Sequence, residues 1–97
     1  MKIVAVTACP TGIAHTYMAA EQLEKTAKKL GHTIKVETQG AMGVENELSQ
    51  ADVDAADVAI IAADIALEQP DRFDRIRKVE VPVQQVIKNP EAVFGRL

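Results

Sequence analysis

The sequence predicts an α/β domain built on a parallel sheet. Three observations carry this. Short β-branched runs alternate with helical segments, the pattern of βαβ units with right-handed crossovers. One run, 57–63 (DVAIIAA), is almost continuously apolar, as a strand covered on both faces must be. The core is also aliphatic: 47% of residues are hydrophobic, yet there are one Tyr, two Phe and no Trp.

The elements follow in order. KIVAVT (2–7) is the first strand. CPTGIAHT is a loop of small residues, and a helix is expected from Thr16. Ala19, Leu23, Ala27 and Leu30 line one face of it. Acidic residues come early in it and basic ones late, which suits the helix dipole, and Gly31 stops it. TIKVET (33–38) alternates as a second strand, and QGAMG (39–43) reads as a loop. Residues 44–56 are helical in part, with Ser49 as N-cap and Asp52 completing a capping box. The run 57–63 is strand three. DIALEQPDRFD is a polar connection with a short helix near Arg72. KVEVP (78–82) is strand four and 83–88 a short helix. Asn89 caps a last helix that has Pro90 at its first position.

At 97 residues with a net charge of −3, one domain spanning 1–97 is expected. No basic stripe marks a nucleic-acid binder. No apolar run approaches the roughly 20 residues of a membrane span. A single cysteine excludes an internal disulfide and a multi-cysteine metal site and fits the reducing cytosol. No metal and no cofactor are expected.

The chemistry concentrates in Cys9-Pro10-Thr11-Gly12-Ile13-Ala14-His15-Thr16. The loop joins the first strand to the first helix, where ligands gather in open α/β sheets. Pro10 has no N–H, so the amides from Thr11 to Thr16 and the helix terminus form the anion cradle. Gly12 permits close approach of a ligand. A thiol at the start of such a loop is held toward the thiolate, its nucleophilic form. The competing reading of Cys9 is a small buried hydrophobe. His15 can face a phosphate as a cation or as a hydrogen-bond donor, or be an exposed first-turn residue. Thr16 either contributes its hydroxyl or is the N-cap. A Cys-based phosphatase would need an Arg where His15 stands, and no Arg follows Cys9 before Arg72.

Beyond this loop, His32 reads as a solvated turn residue. Glu37 and Gln39 either border the active face or pack against a loop. Asp64, at the end of strand three, either sits across the switch point from Cys9, where its charge would repel phosphate, or caps the loop. Met18 and Met42 belong to the core or to the rim of the site.

The run from Ala8 to Glu21, ACPTGIAHTYMAAE, resembles the IIB domain of fructose-type sugar phosphotransferase systems. So do Lys35-Val36-Glu37-Thr38-Gln39-Gly40 with Gly43 and Asn46 and, more weakly, the stretch from Ala56 to Asp64. The resemblance implies a Rossmann-like three-layer sandwich with a parallel four-stranded sheet. It also implies a cytoplasmic protein whose Cys9 takes a phosphoryl group from the phosphohistidine of a IIA component. Phosphocysteine would then pass it to fructose, or a fructose-like sugar, held by the membrane-embedded IIC component. Cys9 would be catalytic, and Thr11, Gly12, Ile13, Ala14, His15 and Thr16 would bind phosphate. The family often has Ser where this chain has Ala41, so Ala41 is not expected to contact phosphate. A regulatory module that docks IIA without turnover and a low-molecular-weight Cys phosphatase are the alternatives.

Overall fold

The computed structural model describes residues 1–9, 13–40 and 43–97, with Ile13 described by its backbone alone. The chain runs β1 (Lys2–Ala8), α1 (Ile13–Lys29), β2 (Thr33–Gly40), β3 (Gly43–Glu45), α2 (Gln50–Asp54) and β4 (Val58–Ala63). A 3-10 turn (Pro70–Phe73), β5 (Lys78–Val81), α3 (Val83–Lys88) and α4 (Pro90–Phe94) complete it.

The sheet has five strands in the order β3-β2-β1-β4-β5, not the expected four. β2, β1, β4 and β5 are parallel, with Ala5 opposite both Val36 and Ile60. The extra strand, β3, pairs antiparallel with the end of β2 through Thr38–Glu45 and Gly40–Gly43. At three residues it is too short to show strand periodicity, and two glycines flanking a small-residue stretch look like a loop.

Side chains alternate across the sheet, so each central strand feeds two cores. Ile3, Ala5, Ile60 and Ala62 pack beneath Ala19, Leu23 and Ala27 of α1 and beneath Val83, Val86 and Val93. On the other face Val4, Val6, Ala59 and Ile61 meet Leu48, Val53 and Phe73.

The expected face of α1 holds through Ala27, but Leu30 is 47% exposed. The helix has already ended at Lys29. Gly31 N–H bonds Lys28 O, and His32 N–H bonds Ala27 O at 2.8 Å. With Gly31 at φ +80°, this is a Schellman termination, and it swings Leu30 off the buried stripe. His32 is not a solvated turn residue. It is half-buried and stacks on Phe94 with ring centroids 6.0 Å apart.

α1 also begins at Ile13, three residues before the expected start, so Thr16 lies inside its first turn and is not the N-cap. The capping box at α2 forms as expected. Asp52 N–H donates to Ser49 Oγ at 3.0 Å and Ser49 N–H to Asp52 Oδ2 at 2.9 Å. Asn89 Oδ1 accepts from Ala92 N–H at the start of α4.

Candidate active site at the end of strand β1

The strand order places the site. From β1 the chain moves to β2 on one side and later returns to β4 on the other. The carboxyl end of β1 is therefore a topological switch point, where a crevice opens between diverging connections. Asp64 N–H extends the β1–β4 ladder by bonding Ala8 O at 3.0 Å. Cys9 is the next residue along.

Cys9 answers both readings in part. Its side chain is 4% exposed and belongs to the core beneath α1. It also lines a hollow of about 320 Å³, together with Gln39, Gly40, Gly43, Ile65, Ala66 and Glu68. Cys9 is thus a buried residue that borders a cleft.

The first turn of α1 is fastened above the strand ends. Thr7 Oγ donates to Thr16 O at 3.1 Å. Thr16 is 2% exposed, and its hydroxyl lies 3.5 Å from where a Cβ on Gly40 would stand. Close approach of β2 to the helix thus shapes this end of the sheet. Ala14 and His15 are exposed in the same turn. Thr11 and Gly12 lie outside the described residues, as do Ala41 and Met42. Met18 is 47% exposed, which makes it a surface residue and not core.

Sequence reasoning named Glu37 and Gln39 but missed Arg72, which joins them through the Glu37 carboxylate and Glu68 O. Glu37 is fully buried, and Arg72 pairs with it at 2.6 Å. Burial pushes the Glu37 carboxyl up. Hydrogen bonds from Arg72, Gln39 and the Leu48 N–H outweigh that and hold it below its ordinary value. Gln39 Nε2 donates to Glu37 Oε2 at 2.6 Å and to Glu68 O at 3.2 Å, and Gln39 Oε1 accepts from Glu68 N–H at 2.9 Å. Gln39 therefore borders the site and packs against a loop at once. Strand β2 is buried only from Val36 to Gln39, and a carboxylate buried there requires a cation.

Asp64 caps a distant helix and not its own loop: its Oδ1 accepts from Val83 N–H, the first residue of α3, at 3.2 Å. Tyr17 hydroxyl donates to Glu45 Oε1, tying α1 to β3. A larger hollow of about 530 Å³ shares Ile65 and Ala66 and runs along β5. Its described lining is mainly apolar, with Asp74, Lys78 and Glu80. Among the described residues, no three His, Cys, Asp or Glu gather as a metal site. Among them also, no helix is long and apolar enough to cross a membrane.

Fold and site together define a small α/β domain that presents one thiol at a sheet switch point, ahead of a helix N-terminus. Over residues 4–96 the chain matches the family model described as "PTS system, Lactose/Cellobiose specific IIB subunit", and it belongs to that IIB family of the phosphotransferase system. The "PTS system fructose-like EIIB component 2" of Escherichia coli K12 is 48% identical over 96 residues, 99% of this chain and 91% of that protein. The "Fructose-like PTS system EIIBC component" of the same strain is 50% identical over 99 residues. That match takes in 100% of this chain but 20% of that longer protein. A crystal structure of a predicted fructose-specific IIB from Escherichia coli superposes with a TM-score of 0.94 at 43% identity, covering 98% of this chain and 84% of that one. The resemblance read from the Cys9 loop is borne out.

Proposed function

We propose that Cys9 is the phosphoryl carrier of a sugar phosphotransferase system. The thiolate sulfur attacks the phosphorus of a phosphohistidine on a IIA component. The N–P bond breaks and its electron pair returns to the imidazole nitrogen. A sugar hydroxyl held by the IIC component then attacks the same phosphorus. The S–P bond breaks, the pair returns to sulfur, and the hydroxyl proton passes to a base on IIC or to solvent.

The supporting observation is the position of Cys9: last off β1 at the switch point, lining a hollow, four residues before α1 begins. The N–H groups of Thr11, Gly12, Ile13, Ala14, His15 and Thr16, with the helix N-terminus, are assigned to the phosphate. The protein works in the cytoplasm, drawn to the membrane through IIC. Fused relatives such as the EIIBC component support IIC as a partner. Fructose-like names among the relatives support fructose or a similar sugar.

The engagement of Arg72 speaks against a Cys phosphatase. Arg72, the first Arg after Cys9, directs its guanidinium to Glu37, Leu48 O, Glu68 O and Gln69 O. The test is to load the protein from phosphorylated IIA and add membranes bearing a fructose-type or a cellobiose-type IIC, each with its sugar. Sugar phosphate is expected with the fructose-type membranes. Its absence with both would reject the carrier role, and its formation only with the cellobiose type would reject the sugar.

A further inference from the structure

A phosphoryl carrier must keep its cargo intact between two encounters, and the segment that shares the hollow with Cys9 carries an apolar side chain, Ile65, that is 43% exposed. Residues 64–69 leave β4 without regular structure, yet their backbone is pinned at several points. Asp64 N–H bonds Ala8 O. Glu68 N–H and C=O both pair with the Gln39 carboxamide. Arg72 Nη2 donates to Glu68 O at 3.2 Å, and Arg72 Nε to Gln69 O at 3.0 Å. Gln69 is held at φ +52°, a left-handed conformation that a non-glycine residue adopts at a cost. Between these anchors, Ile65 and Ala66 line the hollow beside the thiol.

The orientation of Gln39 is dictated by its partners. Its NH2 meets two acceptors, the Glu37 carboxylate and Glu68 O, while its oxygen meets one donor, Glu68 N–H. A flipped amide would set oxygen against two acceptors and NH2 against a donor. The carboxamide therefore acts as a one-way clamp, with buried Glu37 as its foundation.

Resting on the carrier reading above, we propose that Gln39 is a positioning residue. It holds the Ile65–Glu68 segment as an apolar wall of the Cys9 hollow, so that fewer water molecules reach phosphocysteine before transfer. Hydrolysis is the competing step. Water oxygen attacks phosphorus, the S–P bond breaks, its pair returns to sulfur, and inorganic phosphate leaves with the water's protons shared between phosphate and solvent. Gln39 acts through the backbone of Glu68.

The test loads each protein from phosphorylated IIA, removes the donor, and follows decay of the phosphorylated mass together with release of inorganic phosphate. Gln39→Leu, which keeps bulk and removes the clamp, should lose phosphate roughly tenfold faster than the wild type, a change of about 1.4 kcal/mol in barrier. Ile65→Ser leaves the clamp intact and wets the wall, and it should also decay faster. It carries the test if Gln39→Leu does not fold or load. Asn89→Ala removes the cap of α4, away from the hollow, and should decay at the wild-type rate. Wild-type decay in both wall variants, or acceleration in Asn89→Ala equal to theirs, would overturn the proposal. Failure of the wild type itself to load would instead overturn the carrier reading on which it rests.

Discussion

Arg72 grips Glu37 with both prongs of its guanidinium, Nη1 to Oε1 at 2.6 Å and Nη2 to Oε2 at 3.0 Å. The pair joins the 3-10 turn to the carboxyl end of β2 across 35 residues of chain. The same Nη1 also donates to Leu48 O, and Leu48 N–H donates to Glu37 Oε1 at 2.7 Å. One buried ion pair thus fixes the approach to α2, the turn and the end of β2 around the floor of the site. Arg72 lies 5.0 Å from the Phe73 ring centroid as well, adding a cation–π contact.

Removing one partner leaves a buried charge without its counter-charge. Glu37→Gln or Arg72→Met should each cost about 3–5 kcal/mol, a large part of the roughly 5–15 kcal/mol that stabilises a domain. The double variant should cost much less than the sum, because neither charge remains to be stranded. Urea unfolding of the four proteins measures this. Additive losses would mean that the two side chains do not act as a pair.

Acid should weaken the fold with a defined sign. Hydrogen bonds from Lys35 and from Ser49 pull the Asp52 carboxyl down to about 2, and Glu37 also lies below its ordinary value. Between about pH 4, where such carboxyls titrate in the unfolded chain, and those lowered values, the unfolded state binds more protons. Stability is therefore fully present above pH 4 and is lost as pH falls toward 2. Thermal unfolding midpoints should drop across that window, and Asp52→Asn should flatten the drop. An unchanged slope in the variant would remove Asp52 from the account.

Two glycines should respond in opposite ways to alanine. Gly31 sits at φ +80° with open space around a hypothetical Cβ. Gly31→Ala should thus cost about 1–2 kcal/mol from backbone conformation alone. Gly95, at φ −62°, would place its Cβ 3.4 Å from Ala92 O, an ordinary contact. Gly95→Ala should be neutral or stabilise by up to about 1 kcal/mol. Equal effects in chemical denaturation would contradict the Schellman assignment.

Features that repeat along the chain were legible in the sequence, and features made by distant residues meeting were not. The apolar run at Val58–Ala63, the Ala19-Leu23-Ala27 stripe and the caps Ser49 and Asn89 each declare themselves within a few positions. Cys9 was legible as well, because a thiol between a strand and a helix is a local pattern. By contrast, β3 has meaning only through its pairing with β2. Leu30 keeps the helical spacing, but Gly31 ends the helix before it. His32 finds Phe94 62 positions away, and Arg72 finds Glu37 35 positions back. Hydrophobic periodicity says nothing of such partners. That Glu37 is buried, and so needs a cation, emerges only from the packed structure.

The central claim is that the phosphoryl group resides on the sulfur of Cys9. Incubation with phosphorylated IIA, followed by mass spectrometric mapping under conditions that preserve phosphocysteine, addresses it directly. The account predicts one phosphoryl group on Cys9 in the wild type and none on Cys9→Ala. A group mapped to His15 or His32, or an equally loaded Cys9→Ala protein, would contradict it.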